Sequence, residues 1–146
     1  MSRIIHAEGT PTTKRNRLRR SIAEALRRLM QKPEVDAESK DLAAFIVFCL
    51  REIQKNIEKS AEAWEKRNYY LKADRFRRDW EWLGPMERLL AMALIGKQWD
   101  DLPSLLAQLF VKFQDITVTK FTRKPELWDG AYDRLVDEQA EKWGRL

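Results

Sequence analysis

The run from Ala37 to Leu83 contains 47 residues without a glycine or a proline, and it sets the strongest limit on the fold. A single straight helix over this run would be about 70 Å long at 1.5 Å per residue. A compact domain of 146 residues has a radius of gyration of about 15 Å, so such a helix would protrude far beyond it. A straight helix would therefore require an elongated dimer to cover its apolar faces.

The hydrophobic periodicity of this run changes direction near residues 66–68. On a helical wheel, the apolar residues before and after this point lie on faces that differ by well over 90°. The first face comprises Ile46, Leu50, Ile53, Ile57, Ala61 and Trp64, and the second comprises Tyr69, Ala73, Phe76, Trp80 and Leu83. Asn68 tolerates the left-handed conformation that ends many helices, which favours a turn here. We therefore predict an antiparallel helical hairpin of residues 37–66 and 69–83, with the straight helix as the alternative.

Prolines divide the rest of the chain into helical segments, because proline is tolerated in the first turn of a helix. We predict helix starts at Pro11, Pro85, Pro103 and Pro125. The first of these helices has Thr10 as its N-cap and ends at Gln31. The helix after Pro85 is apolar on all sides, which predicts burial. The β-branched stretch 116–122 predicts a loop, with strand pairing across a dimer as the alternative. The predicted fold class is all-α, a single-domain bundle of about six helices around the central hairpin.

We expect residues 11–146 to form this domain and residues 1–10 to form a flexible N-terminus. Cys49 is the single cysteine, so it cannot form an internal disulfide, and its apolar neighbours predict a buried thiol. The longest apolar stretch, residues 42–50, falls well short of the roughly 20 residues that span a bilayer. No signal-peptide pattern precedes the first helix. These features predict a cytoplasmic protein without membrane insertion.

Positive charge is concentrated at the start of the chain. Residues 1–32 carry a formal charge of +7 and the remaining residues carry −2, although the whole chain is only +5. Arginine favours bidentate contacts with phosphate, and a dense cationic helix attracts nucleic-acid backbones. The candidate nucleic-acid-binding residues are Lys14, Arg15, Arg17, Arg19, Arg20, Arg27 and Arg28. Because the apolar stripe of this helix begins at Leu18, we expect residues 14–17 to project beyond the body. The alternative is a solvated face that pairs with the acidic excess of the body.

The stretch from Trp64 to Trp82 interleaves aromatic and basic side chains, a composition that can stack the bases of single-stranded nucleic acid. Its spacing favours a structural role instead, because Tyr69 lies on the apolar stripe and two acid–arginine pairs have i,i+4 spacing. Surplus aromatic side chains are also typical of protein interfaces, here with a second copy or an acidic protein partner. The candidate partner-binding residues are Tyr70, Trp82, Trp99, Trp128 and Trp143.

Residue types that catalysis and metal binding need are sparse. The single histidine, His6, and the single cysteine cannot assemble a fixed nucleophilic or zinc site, and no glycine-rich phosphate loop is present. One residual alternative is a nucleotide hydrolase that binds Mg²⁺ through the carboxylate pairs at 38/41 and 62/65. Their order is the reverse of that in the all-α nucleotide pyrophosphohydrolases, and carboxylates are common on solvated helices.

The predicted function is therefore a non-enzymatic helical binding module without metal or cofactor, associated with nucleic acid through its basic first helix. The alternative is a protein–protein interaction or scaffold protein that self-associates and has no nucleic-acid role.

Overall fold

The computed structural model describes residues 9–144, with side chains to residue 142. Within these residues the regular structure is six α-helices and two single 3-10 turns, without a strand, which confirms the all-α bundle. The α-helices are α1 (Pro11–Met30), α2 (Ala37–Lys66), α3 (Tyr70–Asp79), α4 (Leu83–Ile95), α5 (Leu102–Phe113) and α6 (Ala131–Gly144). Residues 1–8 of the predicted flexible N-terminus and the side chain of the partner-binding candidate Trp143 lie outside the described residues.

Helix α1 begins and ends close to where the sequence predicts. Thr10 is its N-cap, and the Thr10 hydroxyl oxygen accepts a hydrogen bond from the Thr13 backbone N–H at 3.2 Å. Pro11 occupies the first helical position, where its missing N–H leaves no hydrogen bond unmade. The helix ends at Met30 with Gln31 as its C-cap.

Helix α2 is the centre of the bundle, and α1, α3, α4 and α6 all pack against it. Asp36 caps its start by accepting a hydrogen bond from the Ser39 backbone N–H at 2.8 Å. Leu42, Ala43 and Ala44 are consecutive in sequence and fully buried. A helix buries three successive residues only where neighbouring helices cover it on several sides.

The chain reverses between α2 and α3 through a turn at Arg67 and Asn68. Asn68 has a φ of 68°, in the left-handed region. The Asn68 N–H donates to the Glu65 carbonyl at 2.9 Å, and the Tyr69 N–H donates to the Trp64 carbonyl at 2.9 Å. These two bonds form the Schellman arrangement that ends a helix. The predicted antiparallel hairpin is confirmed, although its second helix ends at Asp79 rather than at residue 83, and the alternative of one straight helix is wrong.

Helix α3 packs against α2 through a small set of contacts. Its one buried residue is Ala73, and Phe76 lies edge-on to Trp64 with ring centroids 4.8 Å apart. Arg77 donates to Glu58 Oε1 and to Glu65 Oε2, both at 2.7 Å. These interhelical bonds hold the short helix in place, rather than the two predicted i,i+4 pairs within α3, which are Asp74 with Arg78 and Arg75 with Asp79.

Helix α4 is amphipathic rather than buried on all sides. Pro85 lies in its first turn and Gly96 ends it, as expected. Leu90 and Leu94 are fully buried, whereas Leu89 is 50% exposed and Met92 is 65% exposed. The prediction of complete burial is wrong, because α2, α5 and α6 together leave one face of α4 uncovered.

The chain between α5 and α6, residues 114–130, is here named the connector. It contains one 3-10 turn, Pro125–Leu127, and no strand, so the prediction of a loop at 116–122 is confirmed. The predicted helix start at Pro125 is wrong, because Pro125 opens only this turn and α6 begins at Ala131. Near its end, Trp128 is 2% exposed, and its indole N–H donates to Glu38 Oε2 at 3.3 Å. Asp41 accepts hydrogen bonds from the backbone N–H groups of Gly130 and Tyr132, at 3.2 and 2.9 Å. Two α2 carboxylates thereby fix the start of α6.

Candidate nucleic-acid interface

Helix α1 uses arginine side chains to hold the connector in place. Arg20 donates to the carbonyl oxygens of Thr117 and Lys120 at 3.1 and 2.9 Å. Arg19 pairs with Asp115 at 2.7 Å. The connector has few backbone hydrogen bonds of its own, so these guanidinium groups supply donors that a helix or sheet would otherwise provide.

Glu24 is the acidic member of this arrangement and is 1% exposed. Its carboxylate accepts hydrogen bonds from the Thr122 hydroxyl and backbone N–H at 2.6 and 2.7 Å, from the Arg123 backbone N–H at 2.9 Å, and from Arg20 Nε at 2.8 Å. Burial by itself would raise the pKa of Glu24. The hydrogen bonds from Thr122, Arg123 and Arg20 outweigh burial and lower the pKa to about 2.

Other α1 cations lie over aromatic rings of neighbouring segments. The Arg28 guanidinium lies 4.2 Å from the Phe121 ring centroid and 4.9 Å from that of Trp128, and Arg27 lies 5.6 Å from that of Phe110. These distances are in the range of cation–π attraction. Both arginines therefore cover apolar surface of the protein itself.

Arg15 also contacts the body of the protein. Its Nη1 donates to Asn56 Oδ1 at 2.7 Å, and its guanidinium lies 5.0 Å from the Phe76 ring centroid. The expectation that residues 14–17 project beyond the body is therefore wrong for Arg15. Its partners lie on α2 and α3, more than 40 residues away in sequence, and the α1 periodicity alone contains no sign of them.

At least five of the seven predicted nucleic-acid-binding residues have side-chain contacts within the protein: Arg15, Arg19, Arg20, Arg27 and Arg28. Lys14 and Arg17 are exposed on the first turns of α1. Structural contacts account for much of the arginine content of this helix, and its role in phosphate binding stays a prediction.

The hairpin tip, defined as residues 66–75, exposes aromatic and cationic side chains together. Tyr69 is 55% exposed, Tyr70 57% and Leu71 78%. Four cations in the tip accompany a single acid, Asp74. The cations are Lys66, Arg67, Lys72 and Arg75. Tyr69, Tyr70, Leu71, Lys72 and Arg75 line a shallow open depression together with Asn68.

This tip extends beyond the start of α1 at the same end of the bundle. Helix α1 begins beside Asn56, whose Nδ2 donates to the Pro11 carbonyl at 2.9 Å. Helix α2 continues for ten residues after Asn56, which corresponds to about 15 Å. At the start of α1, Lys14 and Lys59 line a cleft together with the Lys55–Glu52 ion pair, so further cations lie between α1 and the tip.

The prediction that Tyr69 packs in the core is wrong, and the reason is geometric. Tyr69 lies one turn before the buried Ala73, but α2 ends at Lys66 and Tyr69 directly follows the turn, where it stays exposed. Helical periodicity cannot indicate where the partner helix stops. The turn at Asn68 is the sequence feature that indicates this exposure, because residues just after a tight reversal lie at the ends of both helices.

The candidate partner-binding residues differ widely in exposure. Tyr70 is exposed, whereas Trp82 is half-buried between Trp80 and Phe113, with centroids 5.7 and 5.9 Å away. Trp99 packs against Tyr132 at 5.8 Å. Trp128 lies in the core, so its assignment as a partner-binding residue is wrong. Trp128 is buried because it lies where α1, α2 and α6 meet.

Three of the four carboxylates considered for Mg²⁺, Glu38, Asp41 and Glu65, have structural partners, whereas Glu62 is exposed. Glu38 pairs with Lys32 at 2.8 Å, and Glu65 pairs with Arg77 at 2.7 Å. Across residues 9–144, no group of three or more His, Cys, Asp or Glu side chains is arranged to hold a metal ion. Cys49 is buried as predicted, and burial raises the pKa of its thiol to about 12.

None of the helices in the described part of the chain has both the length and the apolar character that crossing a membrane requires. Comparison with family models, with curated proteins and with solved structures finds no match for this chain.

Proposed function

We propose that this chain is a non-enzymatic helical module that binds nucleic acid, with the hairpin tip as its main contact surface. The observation that carries the proposal is the exposure of two adjacent tyrosines among four cations and one acid. Cations attract the phosphate backbone, and exposed aromatic rings offer contact area to sugars and bases. No comparably exposed pair of aromatic residues is present elsewhere in the described residues.

The internal partners of the cations favour the tip over α1 as the contact surface. Lys66, Arg67 and Arg75 form no ion pair with any other residue in the described range, whereas most α1 arginines hold the connector or cover rings. A cation without an internal partner can contact phosphate without breaking a bond inside the protein. Phosphate contacts also release counterions, so the binding constant of a single strand falls as salt is added. In a plot of its logarithm against the logarithm of the salt concentration, the slope is about −0.7 per contact.

Helix α1 contributes to the proposed surface through its first turns. Lys14 lies at the same end of the bundle as the tip, and Lys59 lies between them on α2. The paired arginines further along α1 keep their charge and so add to the positive field that attracts a polyanion. We therefore assign the direct contacts with phosphate to the tip and to Lys14.

Titration of a labelled oligonucleotide of about 20 nucleotides tests the proposal. The tip variant replaces Lys66, Arg67, Lys72 and Arg75 with Gln. A matched control replaces four exposed cations elsewhere, Arg88, Lys97, Lys124 and Lys142, with Gln, so that the net charge of the two variants is equal. We expect the tip variant to bind at least about 10-fold more weakly at low salt, with a salt slope smaller by about three.

Two results would contradict the proposal. One is wild-type affinity in the tip variant, and the other is an equal loss in the control variant, which would indicate a dependence on net charge alone. Light scattering on the same samples tests the alternative of a self-associating interaction protein. A stable oligomer that binds no oligonucleotide would favour that alternative.

A further inference from the structure

We infer that the hairpin tip selects single-stranded over double-stranded nucleic acid, because Tyr69 and Tyr70 stack on unpaired bases. This inference rests on the proposed function and adds the class of nucleic acid to it. These two tyrosines differ in their surroundings from most other aromatic side chains.

Most large aromatic rings in the described structure have an aromatic neighbour. Trp64 meets Phe76, Trp82 meets Trp80 and Phe113, Trp99 meets Tyr132, and Phe45 meets Trp128. Neither tip tyrosine pairs with another ring among the residues described, and both are more than half exposed. The Tyr70 hydroxyl donates to Asn68 Oδ1 at 3.4 Å, so its polar group is directed to the turn.

Cations lie next to these rings at helical spacing. Tyr69 is the N-cap of α3, Lys72 follows it by three residues and Arg75 follows Lys72 by three, so the two cations lie on adjacent turns of α3 beyond the ring. Lys72 Nζ is 4.6 Å from the Trp64 ring centroid, so it lies over the hairpin, and the residue is exposed to solvent. A strand that runs along α3 from Tyr69 would meet a ring and then two positive charges, which is the combination that binds a base and its flanking phosphates.

A duplex cannot use the rings in this way. Its bases are stacked on one another inside the helix, so an exposed tyrosine reaches only the sugar–phosphate backbone unless a base pair is opened. Single strands present base faces at no such cost, and each stacked base strengthens binding by about 10-fold. The phosphate contacts act on both forms, so the tyrosines alone should account for the preference.

Fluorescence anisotropy with two probes of the same sequence tests the inference: a single strand of about 20 nucleotides and its duplex, at equal salt. We expect the wild-type protein to bind the single strand at least about 10-fold more tightly. The double variant Tyr69→Ala/Tyr70→Ala should lose at least about 10-fold on the single strand and little on the duplex. The variant Tyr69→Phe/Tyr70→Phe keeps the rings and should keep the preference.

A control variant, Leu89→Ala/Met92→Ala, removes two exposed apolar side chains from α4 and should bind both probes as the wild type does. All four substituted positions are at least half exposed, so thermal unfolding of the variants should resemble that of the wild type. Equal binding of both probes, or wild-type single-strand affinity in the alanine variant, would overturn the inference and leave the proposed function standing. Failure to bind either probe would overturn both.

Discussion

The Thr122 hydroxyl donates a 2.6 Å hydrogen bond to Glu24 Oε2 across 98 residues of sequence, and the Thr122 backbone N–H donates to Oε1 of the same carboxylate at 2.7 Å. This pair of bonds joins the buried face of α1 to the connector before the chain enters α6. Arg123 strengthens the junction, since its Nε donates to the Ser21 hydroxyl at 3.0 Å and one terminal N–H donates to the Arg17 carbonyl at 3.0 Å.

Replacing Glu24 should weaken the fold through this junction. Glu24→Ala removes the acceptor for two backbone N–H groups and one hydroxyl, and it leaves Arg20 without its carboxylate. We expect the free energy of unfolding to fall by about 3 kcal/mol, because buried donors left without partners are costly. Urea unfolding followed by circular dichroism measures this change. Glu62→Ala, at an exposed position of α2, is the control and should change the free energy by less than about 0.5 kcal/mol. Equal effects of the two substitutions would contradict the structural role of Glu24.

The contribution of Glu24 should also depend on pH. Its pKa is about 2 in the folded protein against an ordinary value of 4.5, so the folded state favours the ionised carboxylate. The stabilisation is present in full above pH 4.5 and is lost as the pH falls through about 2, and it amounts to about 3 kcal/mol. The difference in free energy of unfolding between the wild type and Glu24→Gln should therefore shrink between about pH 5 and pH 2. Urea titrations of both proteins over this range provide the measurement, and a constant difference would exclude the linkage. Comparing the two proteins removes the contribution of other carboxylates, such as Asp36.

Local signals explain which parts of the fold the sequence could predict. Thr10 and Pro11 specify a helix start through a hydroxyl cap and a fixed φ, and neither depends on distant residues. Asn68 specifies a turn in the same local way, and the change of apolar face around it is visible over a single window. The start of α1 and the turn of the central hairpin therefore follow from the sequence alone.

Contacts between distant segments explain what could not be predicted. Arg20 lies 97 residues from Thr117, and no pattern within α1 indicates that a guanidinium will hold carbonyl oxygens of the connector. The basic helix therefore suggested a phosphate-binding surface more strongly than its contacts support. Exposure of Tyr69 depends on the length of the opposing helix, which is equally a property of two segments. Part of the candidate site is thus visible in the sequence as a basic and aromatic stretch, but its exposure is set by the packing of the two helices.

The hairpin turn provides a test of the local signal at Asn68. Its φ of 68° is tolerated by Asn and costs Gly nothing, whereas a residue with an unbranched apolar side chain is strained there by about 1 kcal/mol. We expect Asn68→Ala to lower the free energy of unfolding by about 1 kcal/mol and Asn68→Gly to leave it within about 0.5 kcal/mol of the wild type. Chemical denaturation of both variants measures the difference. Asn16→Ala, on the exposed side of α1, is the matched control, because it removes the same amide from a right-handed helical position and should not destabilise the protein. If Asn68→Ala were as stable as Asn68→Gly, the left-handed turn would not determine the stability of the hairpin. In that case, the contacts of Phe76 and Arg77 with α2 would be sufficient to hold α3 in its place.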